Sequence, residues 1–125
     1  MRAYDRGEAT AQAVIAIPVV LLILWVGIQA TVFLHGANVA DAAANEGAAV
    51  AARYGSSLGA GERAIARTLS ALDAPTGGSW SLRQASGEVI AKVNLRLPRI
   101  VPFFPLTVTR TAHEPQERFM NESQR

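Results

Sequence analysis

Between Glu8 and Asp41 the chain carries no formally charged residue, and His35 is the only titratable side chain in the interval. Within it, Ala13 to Leu34 reads AVIAIPVVLLILWVGIQATVFL, a run of 22 residues. A hydrocarbon core about 30 Å thick needs roughly 20 helical residues to cross it, so the run suffices on length. Gln29 is its one strongly polar member and lies toward the distal end, where the cost of a polar group falls. Pro18 sits one turn in, and transmembrane helices tolerate proline near their starts.

Three readings compete for this segment. A cleaved secretory signal has an apolar region of about 7–15 residues behind a basic start. Here the run is longer and the start, MRAYDRGE, is nearly neutral in its side chains, although Ala40-Asp41-Ala42 offers an A-x-A site. A core helix of a soluble domain fits badly, because little else in 125 residues could cover the run. An uncleaved, or only N-terminally trimmed, single span fits best. Arg2 and Arg6 precede the span, and the next basic residue is Arg53. By the positive-inside rule the N-terminus is expected in the cytoplasm and residues 35–125 outside. The expected location is a bacterial cell membrane, with the lipid bilayer as the first partner.

Helical pattern continues past the span. His35, Asn38, Asp41 and Asn45 fall on one face. Ala37, Ala40, Ala44, Gly47, Ala48 and Ala51 form a second face of small residues, which lets another backbone approach closely. One helix is therefore expected from about Thr10 to Tyr54, on the order of 65 Å long. Pro18, Gly27, Ala40, Ala44, Gly47 and Ala48 are its candidate packing positions. The plainer alternative is an alanine-rich juxtamembrane helix with no partner.

Beyond the helix, Gly55–Gly61 reads as a flexible connector and Glu62–Asp73 as a short helix with Ile65, Leu69 and Leu72 on one side. Residues 74–78 end it. Ser79–Ala85 reads as a strand, Ser86-Gly87 as a turn, and Trp80 as a core residue. Val89, Ala91, Val93, Leu95 and Leu97 alternate with Ile90, Lys92, Asn94 and Arg96, the clearest strand pattern in the chain. PRIVPFFP interrupts it, and Leu106–Thr111 follows as a short strand. Phe103 and Phe104 could close the core, touch the membrane surface or meet a partner. The fold class is α+β: a long N-terminal transmembrane helix continuing outside, a second short helix and a small three-stranded antiparallel sheet. The divisions are residues 1–12 as a cytoplasmic segment, 13–34 as the span, 35–54 as its outer continuation, 55–112 as the head, and 113–125 as a polar, disordered tail.

Composition limits the alternatives. Half the residues are hydrophobic but only 6% are aromatic, and alanine supplies 23 positions. Alanine builds helices more readily than large cores, and small chains bury little surface. With no cysteine there is neither a disulfide framework nor a thiolate zinc site. The twelve basic residues, eleven of them arginine, are scattered with no run, whereas nucleic-acid binders concentrate charge on one face. No nucleic-acid partner is expected.

His35 and His113 belong to no H-x-x-x-H arrangement. Asp41 and Glu46 are five apart and point to different sides of a helix. There is no G-x-S-x-G, Walker loop or G-x-G-x-x-G. Asn121-Glu122-Ser123 fits a glycosylation sequon, a motif common by chance. The expectation is a structural or assembly protein, not an enzyme, with no catalytic residue, cofactor or metal.

One stretch carries more than composition: Asp5-Arg6-Gly7-Glu8-Ala9-Thr10-Ala11-Gln12-Ala13-Val14-Ile15-Ala16-Ile17-Pro18. It resembles the N-terminus of TadE-like proteins, minor pilin or pseudopilin components of the tight-adherence (Tad) pilus system. Ala43-Ala44-Asn45-Glu46-Gly47-Ala48 looks like that family's A-A-x-E-G-A segment. The ending, from Val101-Pro102 through Thr107-Val108-Thr109 to Glu117-Arg118-Phe119, is similar to actinobacterial-type members. The resemblance implies cleavage by a prepilin peptidase after Gly7, leaving Glu8 as the mature N-terminus. It also implies helix packing against other pilin or pseudopilin subunits in a Tad/type IV-like pilus or a related secretion filament. Gln12 is a departure: the fifth mature position of the family pattern is Glu, whose carboxylate pairs with a subunit's N-terminal amine. Without the resemblance, the chain reads as a single-pass anchor or scaffold protein with a small outer domain, unrelated to pili. A small protein freed by cleavage after Ala42 is the third alternative.

Overall fold

The computed structural model describes residues 2–74, 77–104 and 107–118, with side chains from Arg6 onward. Helix α1 spans Arg2–Ala52, 51 residues, about 76 Å at 1.5 Å per residue. It starts eight residues earlier than the expected Thr10, so Pro18 lies in the helix interior. Having no N–H, Pro18 leaves the Val14 carbonyl without its helical donor. Gly55, at φ +74°, turns the chain away after α1.

Ser57 is extended and its hydroxyl accepts a hydrogen bond from the Ala60 N–H at 3.2 Å. This N-cap satisfies one orphan donor and starts α2, Leu58–Ala71. The connector expected over residues 55–61 is therefore shorter, because Leu58 to Gly61 are already helical. Asp73, at φ +47°, marks the turn after α2.

Three antiparallel strands follow in spatial order β1-β2-β3: Gly78–Ala85, Glu88–Arg96 and Thr107–Pro115. Ser86 and Gly87, both with positive φ, make the tight turn between β1 and β2, the backbone sign that suits a two-residue hairpin. In the register, Leu82, Ala91 and Ala112 lie side by side, as do Gly78, Leu95 and Val108. Residues on one face alternate along each strand. The expected alternation holds: Val89, Ala91, Val93, Leu95 and Leu97 are buried.

That face packs on α1. The core joins Ala37, Val39, Ala40, Ala43, Ala44 and Ala48 of α1 to Ile65 and Leu69 of α2 and to the inner face of the sheet. The α1 stripe is small because two layers press on it. A methyl group on Gly36 would collide with Leu97, and one on Gly47 with Ile65. The result is an α+β head wrapped around the distal half of one long helix.

Two expectations are corrected. Trp80 shares the inner face with Val93 but stays 39% exposed, at the rim of an edge strand. The chain from His113 onward is not a loose tail over the described residues. Strand β3 runs to Pro115, Gln116 donates its N–H to the Gly87 carbonyl, and Glu117 donates to the Ala52 carbonyl at 2.8 Å. The Glu117 carboxylate in turn accepts from the Tyr54 N–H at 3.3 Å. The last turn of α1, whose carbonyls lack helical donors, is thus held by the end of β3. Phe119 and the Asn121-Glu122-Ser123 sequon lie outside the described residues.

Candidate membrane and subunit interface

Helix α1 divides into two halves by what touches it. From Arg6 to Trp25 every residue is exposed. Val14, Ile15, Ile17, Val19, Val20, Leu21, Leu22, Ile23, Leu24 and Trp25 all present apolar surface there. Exposed apolar area on this scale is rare on soluble monomers and marks a membrane or protein contact. The helix is long and apolar enough to cross a membrane, and it fits a single-pass membrane protein. Gly7, Glu8, Gln12 and Pro18 all lie on this bare half. The Thr10 hydroxyl donates to the Arg6 carbonyl at 2.8 Å, an ordinary back-bond within the helix.

Gln29 marks the change. It is 0% exposed, the only buried polar or charged side chain among the described residues. Its Oε1 accepts the N–H of Ile100 at 2.7 Å and the N–H of Val101 at 3.1 Å, and its Nε2 donates to the Pro98 carbonyl at 3.4 Å. The prolines of this segment keep it from pairing as a strand, so its backbone groups need partners elsewhere. The Gln29 amide supplies an acceptor and a donor together. The residue that looked like a tolerated polar blemish in the span is the clasp between the helix and the loop after β2.

Above Gln29 the small stripe is occupied. Ala40, Ala44 and Ala48 are fully buried. Gly47 faces α2, where a Cβ would lie 3.2 Å from the Gly61 carbonyl oxygen. These four candidate packing positions are covered by the chain's own head. Gly27 remains open, with nothing within 4 Å of where its Cβ would be. The surface left for partners is therefore the lower helix, residues 6–28, and the outer faces of the head.

The polar face of α1 is solvated: His35, Asn38, Asp41, Asn45 and Glu46 are exposed. Asn45 donates to the Asp41 carbonyl within the same helix. His113 lies 3.7 Å from Glu88 across neighbouring strands, both exposed. No group of three metal-capable side chains occurs among the described residues. The outer sheet face is polar, with Lys92 between Ser81 and Thr111 in register, and with Thr109 hydrogen-bonded to Asn94.

Comparison with known proteins places one marker on this geometry. Residues 7–49 match the family model described as TadE-like protein. The match crosses both halves of α1, from the bare stem into the part held by the head. No curated protein and no solved structure matches the chain.

Proposed function

Because the chain is TadE-like through residues 7–49, we propose that it is a minor pilin or pseudopilin that assists assembly of a Tad/type IV-like pilus or a related secretion filament. The observation that carries the reading is the division of α1. A bare apolar half can pass from lipid into a bundle of like helices without disturbing the head, because none of its side chains from Arg6 to Trp25 is committed to the chain's own fold. The head, fixed to the upper half, would project on the outer side with the N-terminus in the cytoplasm. The role is structural, not enzymatic.

In this reading a prepilin peptidase cuts between Gly7 and Glu8, at exposed positions of the helix. Glu8 then begins the mature chain and Gln12 occupies the fifth position. Other pilin-type subunits pack along residues 9–28, with Pro18 and Gly27 among the contacts. Gln12 also supports a second reading, an uncut single-pass anchor unrelated to pili. A neutral amide offers a buried amine a hydrogen bond but no countercharge.

The intact mass of the protein from native membranes tests the proposal. Loss of residues 1–7, with Glu8 at the N-terminus, is the expected result. A chain that keeps Met1, or loses Met1 alone, would leave the plain anchor.

A further inference from the structure

We propose that the loop of residues 98–104 is a second membrane contact that seats the head on the outer lipid interface, with the hydrocarbon boundary at Gln29. The proposal rests on α1 crossing the bilayer.

The Gln29 clasp fixes the height of the loop along the helix. If the hydrocarbon extended to Leu34, Gln29 would lie about 7 Å inside it. The irregular backbone of residues 98–101 would lie there too, and lipid-exposed irregular backbone is not tolerated in hydrocarbon. With the boundary at Gln29 the conflict disappears. Ala9 to Ile28 then forms the span, about 30 Å at 1.5 Å per residue, which matches the hydrocarbon thickness. Glu8 and Gln29 are its polar brackets.

The loop's side chains fit that level. Val101 turns inward and is buried, while Ile100 is 41% and Phe103 70% exposed. The Phe104 N–H donates to the Val101 carbonyl, which closes a turn with Phe103 near its apex. The Phe103 and Phe104 rings lie 6.3 Å apart. One turn down the helix from Gln29, Trp25 is also exposed, so the stem presents aromatic surface just below the level at which Gln29 holds the loop. Aromatic residues collect at membrane interfaces. Exposed Arg99 adds a cation with an apolar stem suited to anionic headgroups. Lipid, rather than a second copy, fits a surface whose neighbour on the same helix is the span itself.

The absence of cysteine permits a clean test. Single cysteines are placed at Ile17, Leu34, Phe103 and Thr111 of the full chain, and each carries an environment-sensitive fluorophore. Each protein is reconstituted in phosphatidylcholine–phosphatidylglycerol vesicles. Quenching is read from lipids with a nitroxide near the headgroup or deep in the chain, and from aqueous iodide. The expected result at Phe103 is loss of most emission with the shallow lipid quencher and protection from iodide. Thr111 should respond to iodide alone, Ile17 to the deep lipid quencher, and Leu34 not to the deep quencher. A Phe103 label open to iodide overturns the loop contact, and so does one shielded from both quenchers, which would mean a protein neighbour. A Leu34 label quenched by deep lipid overturns the boundary. Failure at Ile17 as well would remove the transmembrane reading, separately from any result on the mature N-terminus.

Discussion

Gly47 and Gly61 face each other where α1 and α2 cross: a methyl on Gly61 would lie 2.6 Å from the Gly47 carbonyl oxygen, and one on Gly47 3.2 Å from the Gly61 carbonyl oxygen. Each glycine removes the atom that would hold the other's backbone away. Ile65, fully buried, and partly buried Leu82 fill the space around them.

Gly61→Ala is expected to destabilise the head. The added carbon meets a carbonyl oxygen, Leu82 and the Cβ of Ala51, all closer than 3.0 Å. Overpacking of this kind costs about 1–3 kcal/mol. Gly59→Ala is the control, since its nearest neighbour would be a mobile Arg63 nitrogen at 3.7 Å. That change should leave the midpoint unchanged or raise it slightly, by less than the roughly 0.5–1 kcal/mol of a mid-helix position, because Gly59 lies in the first turn of α2. Thermal unfolding of both variants in lipid, followed by the tryptophan signal, checks the pair. Equal midpoints would contradict the crossing geometry.

Gln29→Leu should also loosen the head, by a different route. The N–H groups of Ile100 and Val101 lose their acceptor; the buried Val101 donor costs about 1–3 kcal/mol when unsatisfied, and the part-buried Ile100 donor less, because water can reach it. A loss of about 1–3 kcal/mol is expected, despite the better transfer of leucine into lipid. Hydrogen exchange resolved to single amides should show faster exchange at residues 100 and 101 before the sheet is affected. Unchanged protection there would mean the clasp contributes nothing.

Much of this architecture is legible in the sequence, and the limits are instructive. The strict alternation of β2 identified its buried face because one side of the sheet meets a helix and the other meets water. The small stripe of α1 announced close packing, but small residues record only that something approaches, and here the approaching element was the chain's own α2 and sheet. Gln29 was visible as an oddity, yet its partners lie 69–72 residues away in a proline-rich segment with no periodicity. The end of β3 was read as tail because its outward residues are polar and Ala112 is its one small inward apolar side chain past residue 108. The candidate site at Gly7 and Glu8 came from resemblance rather than from spacing, and the bare helix around it adds accessibility but no chemistry.

Intramolecular and intermolecular packing on α1 can be separated by two leucine substitutions. Ala44→Leu forces three extra carbons into a fully buried position and should cost the head about 1–3 kcal/mol or more. Gly27→Leu meets nothing within 4 Å of its first carbon, so the head should melt at an unchanged temperature. If subunits pack along the lower helix, Gly27→Leu alone should reduce crosslinking between chains in the membrane. A Gly27→Leu protein with normal melting and normal crosslinking would place the subunit contact elsewhere.

Gln12→Glu distinguishes a processed subunit from an uncut anchor. Gln12 sits on the bare half of α1, one turn from Glu8. In a chain cut after Gly7, the new carboxylate can pair with an N-terminal amine, and a paired ion is far cheaper in lipid than either charge alone. The variant should then enter the filament fraction more efficiently than the parent. In an uncut chain no amine lies at Glu8, and the added carboxylate faces hydrocarbon unpaired. A cost on insertion is expected in that case, smaller than the roughly 2.5–3.5 kcal/mol of a charge at the helix centre because residue 12 lies at the cytoplasmic end of the span, read as a smaller membrane-integrated fraction. Comparing the pelleted filament fraction and the carbonate-resistant membrane fraction for the two proteins gives opposite signs for the two readings. A rise in the first quantity supports the pilin-type role, and a fall in the second sinks it.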